Sequence, residues 1–179
     1  MKSFHAFIDV AYKGSKAYSA AIVTDSTKGD SISISHNYGV FINGVRPYEP
    51  GRFYKRELPC ILKVLEKIHE PLGLIFIDGY TWLPDGRAGL GAHLFHAVDA
   101  RSPVIGISKS AFRIKSRPRH CVGKILRGKS KRFLYVSAAG IQLDEAIEIV
   151  KTLPGPYRLP DPVRAVNQLC NTKLKKFIG

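Results

Sequence analysis

Between Arg46 and Asp78 the chain reads RPYEPGRFYKRELPCILKVLEKIHEPLGLIFID, and no other stretch limits the fold as tightly. Leu58, Ile61, Leu62, Leu65 and Ile68 recur at helical spacing with Lys63, Glu66, Lys67 and Glu70 on the outer face, which predicts an amphipathic helix. Pro59 suits the first turn of such a helix, where a missing N–H goes unused. Leu72 to Ile77 is then a continuous apolar run broken only by Gly73. A run of that kind is a strand covered on both faces, so helices must flank the sheet it joins. Two carboxylates mark the borders, Glu57 at the helix start and Asp78 at the carboxyl end of the strand. Ligands of open α/β sheets bind beyond such ends, and an unpaired buried carboxylate is costly. Taken alone, Asp78 before Gly79 does no more than make a turn or cap a helix.

Upstream, Phe4 to Tyr12 alternates as a first strand, with Phe4, Ala6 and Ile8 on one side and His5, Phe7 and Asp9 on the other. The turn KGSK at 13–16 leads to a second strand over about 17–24, and TKGD at 27–30 to a third from about Ser31 to His36, extending toward Phe41. Downstream, the glycines of GRAGLGAHLFHAV (86–98) match neither GxxxxGK[ST] nor GxGxxG, so they predict close helix packing rather than a phosphate cradle. A buried strand follows at Pro103 to Ile107, then a basic segment, a strand RFLYVS at 132–137, and a helix from Leu143 to Leu153. After the connector PGPYRLPDP, Asp161 as N-cap and Pro162 as first residue open a last helix. The predicted fold is α/β: one domain over 1–179 with a mixed central sheet, three antiparallel strands then parallel strands, flanked by helices. That order resembles the ribonuclease H-like plan.

Charge narrows the partners. Lys and Arg number 28 against 14 Asp and Glu, a formal net charge of +14, and every charged residue between Asp99 and Asp144 is basic. Lys109, Arg113, Lys115, Arg117, Lys124, Arg127, Lys129, Lys131 and Arg132 there read as a phosphate-tracking surface, which points to DNA or RNA as partner. Cys60, Cys121 and Cys170 make no CxxC pair, which excludes a zinc ribbon and argues against a disulfide framework. No apolar run nears the roughly 18 to 20 residues of a membrane span, and His5 and Asp9 interrupt any signal core. The expectation is a soluble, cytoplasmic monomer with no membrane partner.

Asp9 on the first strand and Asp78 on its parallel neighbour would face one another, with Glu57 closing the set. Carboxylates crowded in this way repel unless a divalent cation neutralises them. Mg²⁺ takes hard oxygen ligands, activates water and stabilises in-line attack on a phosphodiester. Lys109, ending the adjacent strand, would stabilise the oxyanion as a fixed charge. Each acid has an ordinary structural explanation singly; three acids and a lysine at matched strand ends are improbable by chance.

The motifs together resemble the endonuclease V family of inosine- or deoxyinosine-directed nucleases. The resemblance rests on DVAY at 9–12, on PYEPGRFYKRE at 47–57 against the family's PYIPGxLxFRE, and on FIDG at 76–79. It continues through GLGAHL at 89–94, GISKS at 106–110, LYVS at 134–137 and LPDPVR at 159–164, in family order along nearly the whole chain. It implies Asp9, Glu57 and Asp78 as ligands of Mg²⁺ or Mn²⁺, with Lys109 and His93 near the scissile phosphate. Tyr48, Glu49 and Pro50 would form the wedge that fills the gap left by a flipped inosine, with Gly51 beside them against the nucleic acid. Gly79 and Tyr80 would border the base, and Arg113, Lys115 and Arg117 the nucleic-acid backbone. Cleavage one phosphodiester beyond the lesion on its 3′ side is implied by the same likeness. Glu49 stands where the family has an apolar wedge residue, Thr81 and Pro84 depart from its base-pocket motif, and Asn167 stands where its last helix carries His or Asp. A ribonuclease H-like nuclease with another DNA or RNA substrate, or a nucleic-acid-binding protein without catalysis, therefore remain as alternatives.

Overall fold

The computed structural model describes residues 3–25, 34–113 and 120–178. One seven-stranded sheet runs β3-β2-β1-β4-β5-β7-β6. Strand β1 (Phe4–Lys13) is joined by the turn at Gly14 to β2 (Lys16–Asp25), which pairs antiparallel with it and with β3 (Ile34–Ile42). On the other side of β1, β4 (Leu72–Asp78) and β5 (Val104–Ser108) add in parallel. The final strands, β6 (Gly123–Ile125) and β7 (Leu134–Ala139), form a hairpin whose β7 runs antiparallel to β5. Parallel pairing thus holds for β4 and β5 and stops there, because a hairpin must reverse direction. The start of the predicted third strand and the turn at 27–30 lie outside the described residues.

Four helices close the two faces: α1 (Tyr54–Leu65), α2 (Leu90–Ala97), α3 (Leu143–Thr152) and α4 (Asp161–Ile178). The two-residue period of β1 and β4 sorts their side chains between two cores. Ala6, Ile8, Ile75 and Ile77 pack with Ile61, Val64 and Leu94 under α1 and α2. Phe7 and Phe76 turn the other way, their rings stacked at 4.4 Å, and join Ile105, Val150 and Val166 under α3 and α4. Each buried Val, Leu, Ile or Phe among them contributes about 1.5–3 kcal/mol. This is why Leu72 to Ile77 shows no polar alternation.

Three local readings change. Helix α1 begins at Tyr54, so Pro59 sits inside it, on an exposed position, instead of in the first turn. Asp161 is the first residue of α4, and the carbonyl of Pro160 before it accepts from the Arg164 N–H at 3.0 Å. Arg127 leaves the phosphate surface altogether: it is 6% exposed and donates to the carbonyls of Val150, Leu153 and Tyr157. The glycine-rich run does pack closely, since a Cβ at Gly91 would come within 2.4 Å of Thr81 Cγ2. Among the described residues no helix is long and apolar enough to cross a membrane.

Candidate active site

Parallel register sets the first two acids. Phe7 lies opposite Phe76 and Ile8 opposite Ile77. One residue further on, Asp9 and Asp78 therefore share the face of the Phe7–Phe76 stack at the carboxyl edge of the sheet. Both line one cavity of about 20 Å³ with Lys109, Leu159, Val163 and Asn167, enough for about one water molecule or ion. The Asp9 carboxylate is held at both oxygens: Oδ1 accepts from the Val10 N–H at 2.8 Å and Oδ2 from the Asn167 amide at 2.7 Å. Asn171 Nδ2 donates in turn to the Asn167 carbonyl at 2.8 Å, and the Cys170 thiol to the Asp9 carbonyl at 3.1 Å. Lys109, the residue after β5, brings Nζ to 3.4 Å from Asp78 Oδ2. Its own carbonyl accepts from the Arg158 guanidinium.

Glu57 arrives from the opposite face, on α1, and is 5% exposed. Tyr12, three residues after Asp9, points to that face by parity and donates its hydroxyl to Glu57 Oε2 at 2.6 Å. The Arg56 guanidinium lies 3.9 Å over the Tyr12 ring. Burial pushes the Glu57 carboxyl up to about 8; the charges of Asp9 and Asp78 add to the rise, while the Tyr12 hydrogen bond opposes it. Burial also raises Asp9, with Asp78 adding to the rise and the Asn167 bond opposing it. Three acids within electrostatic reach of each other in a poorly solvated pocket favour a proton or a cation. Their oxygens are the hard donors that a Mg²⁺-like ion takes. As they stand, however, each leans on its own partner, and among the described residues no three acid, imidazole or thiol groups are arranged to hold an ion. The donor chemistry and mutual repulsion fit a divalent cation, and each carboxylate keeps lone pairs beyond its contact with Asn167, Tyr12 or Lys109.

A second cavity, about 240 Å³, opens beside Asp78 and is lined by Tyr48, Gly51, Tyr54, Gly79, Tyr80 and Phe112 among others. Its wall is fixed by Tyr80, whose hydroxyl donates to the Ser110 carbonyl at 2.7 Å and accepts from the Phe112 N–H at 3.2 Å. The loop that carries Gly79 and Tyr80 crosses directly over Gly106, where a Cβ would meet the Gly79 carbonyl oxygen at 2.5 Å and Thr81 N at 2.9 Å. Tyr48 is exposed and Pro50–Gly51 makes a turn, but Glu49 bends back to Lys55 at 3.3 Å and Arg52 at 3.7 Å. His93 lines neither cavity; its ring stacks on Tyr54 at 3.8 Å, and burial lowers its pKa. Arg113 is exposed beyond Phe112, whereas Lys115 and Arg117 lie outside the described residues. Tyr12 and Arg158 were not among the predicted site residues. Strand parity could have singled out Tyr12; nothing local in the sequence marks Arg158, whose partners come from distant loops.

Comparison with known proteins supplies the lineage. A model of the endonuclease V family matches residues 3–168. Endonuclease V of Streptomyces avermitilis is 31% identical over 187 residues, covering 94% of this chain and 80% of that protein. The Rippkaea orientalis protein is 32% identical over 143 residues, covering 71% of this chain but only 62% of its own length. A crystal structure of the S. avermitilis endonuclease V superposes with a TM-score of 0.78 and 26% identity, over 99% of this chain and 83% of that one. A Ciona intestinalis endonuclease V variant, crystallised with a 23mer DNA containing an inosine followed by a ribo-adenosine, shares the fold with a TM-score of 0.80 at 19% identity, over 98% of this chain and 87% of that one. With the family model spanning every strand of the sheet and the site at its carboxyl edge, the chain belongs to the endonuclease V family.

Proposed function

We propose that the chain is a Mg²⁺-dependent endonuclease that hydrolyses a phosphodiester 3′ to an inosine in DNA or RNA, with Mn²⁺ able to replace Mg²⁺. One observation carries the reading: Asp9 and Asp78, from parallel strands in register, line a single ion-sized cavity with Lys109. Family membership supports nuclease chemistry, and the Ciona intestinalis relative was crystallised with inosine-containing DNA. Asp9, Asp78 and Glu57 would hold the ion. When bound, it supplies Lewis acidity toward a phosphate oxygen and a water of lowered pKa.

The chain's own groups do the rest. Lys109 offers a fixed positive charge to the phosphorane oxygens and exchanges its Asp78 contact for the substrate. Asn167 orients the Asp9 carboxylate, and Tyr12 keeps Glu57 in one rotamer. The cavity between Tyr48, Tyr54 and Tyr80, which no charged side chain lines among the described residues, takes the flipped base, while Tyr48 and Pro50 fill the space it vacates. With its carboxylate drawn toward Lys55 and Arg52, Glu49 leaves Tyr48 to stack.

Replacing Asp78 by Ala should lower nicking of an inosine oligonucleotide by about a thousandfold or more while binding persists. Undiminished cleavage would reject the site. A nuclease with another substrate is the second reading, motivated by Glu49, Thr81 and Pro84. Cleavage of matched oligonucleotides with and without inosine at equal rates would select it.

A further inference from the structure

Lys109 borders three cavities at once. One holds Asp9 and Asp78; the others share no lining residue with the Tyr80 cavity. The nearer cleft, about 500 Å³, is lined by Lys109, Lys129, Tyr157, Arg158 and Arg164. A second, about 530 Å³, is lined by Lys131, Arg132 and Phe133. Arg158 stands between them, its guanidinium bonded to the carbonyls of Lys109 and Phe133. Among the described residues no acid lines either cleft, and each presents an exposed aromatic ring, Tyr157 at 55% and Phe133 at 45%. The Arg164 guanidinium covers one face of Tyr157 at 4.2 Å.

Cations around a solvent-facing ring form a stacking platform for unpaired bases, since every base has a π-face and its phosphate a charge. Paired bases already stack on their neighbours and cannot use the ring. We propose that the Tyr157 cleft is the exit track for an unpaired strand beyond the cut: phosphates follow Lys109, Lys129 and Arg164, and the first or second base past the scissile bond stacks on Tyr157. Naming this flank as the 3′ one rests on the function proposed above: the base would enter the Tyr80 cavity at Gly79, next to Asp78, whereas this cleft shares Lys109 and Leu159 with the Asp9–Asp78 cavity and no lining residue with the base cavity. The inference adds a length requirement and a preference for a single-stranded 3′ flank.

The test uses inosine oligonucleotides with one fixed 5′ flank and 1, 3, 6 or 10 nucleotides 3′ of the cut, left unpaired or annealed to a complement. Affinity is read by fluorescence anisotropy with Ca²⁺, and cleavage by single turnover with Mg²⁺. Shortening the unpaired flank from 6 to 1, or pairing it, should weaken binding about tenfold. Tyr157→Ala should weaken binding of the 6-nucleotide flank to a similar degree and Tyr157→Phe should restore it. Lys129→Gln should reduce the salt slope by about 0.7, and Lys67→Gln, after α1, should change neither reading. Equal affinity at all flank lengths, or Tyr157→Ala binding like wild type, overturns the track. Cleavage that ignores the flank sinks the track alone; flank-dependent binding without cleavage of any inosine substrate sinks the proposed function alone.

Discussion

Glu57 is 5% exposed, with its Oε2 against the Tyr12 hydroxyl and two further acids nearby. Its carboxyl titrates at about 8 in the folded chain against 4.5 ordinarily. Between those values the unfolded chain has lost a proton that the folded chain keeps, so stability falls as pH rises from about 4.5 to about 8. The penalty is full above that window and absent below it. Glu57→Gln keeps an acceptor for Tyr12 but removes the titration. In chelator, urea unfolding should show the variant more stable than wild type at pH 8.5 by on the order of 2–4 kcal/mol and nearly equal at pH 4. Parallel curves across that range would mean that the charge is already compensated. The same residue shows what the sequence hides: spacing placed Glu57 at a helix start, but only Tyr12, brought in on the other parity of β1, fixes where its carboxylate points.

At the scale of elements, Arg127 shows how a motif can mislead. Its neighbours Lys129, Lys131 and Arg132 are exposed, and composition grouped it with them. The structure instead buries it as a plug between β6 and α3, donating to Val150 at 3.2 Å, to Tyr157 at 2.7 Å and to Leu153, carbonyls at and beyond the end of α3. Arg127→Met should cost about 3 kcal/mol in urea unfolding, because those carbonyls lose a charged donor. Lys at this position should recover part of it, and a loss below about 1 kcal/mol would show that water replaces the bonds. Elements with a repeating pattern were legible beforehand. Period two in β1 put Phe7 and Asp9 on one face, and the continuous run before Asp78 announced a strand buried on both sides. Direction beyond β5 was not legible, since the β6–β7 hairpin has no periodicity of its own. The helix start at Tyr54 was masked by Pro59, which α1 tolerates on an exposed position.

Seen whole, the molecule separates affinity from selectivity. The net charge of +14 has its local expression around Lys109, Lys129, Arg158 and Arg164, while among the described residues no charged side chain lines the 240 Å³ cavity beside Asp78. Phosphate contacts release counterions whatever the base, whereas discrimination in an uncharged pocket rests on stacking and shape, which salt barely touches. Site assembly also depends on both layers, because Asp9 and Asp78 face α4 and Glu57 comes from α1. Two single-stranded oligonucleotides differing by one inosine should therefore give parallel lines of log affinity against log salt. With about four phosphate contacts at about 0.7 each, the common slope is near −3, a loss of roughly 50-fold between 50 and 200 mM salt. The vertical gap between the lines, the inosine preference itself, should stay constant. Lines that converge as salt rises would place a charged group in contact with the base and move the recognition site from the Tyr80 cavity to the basic clefts.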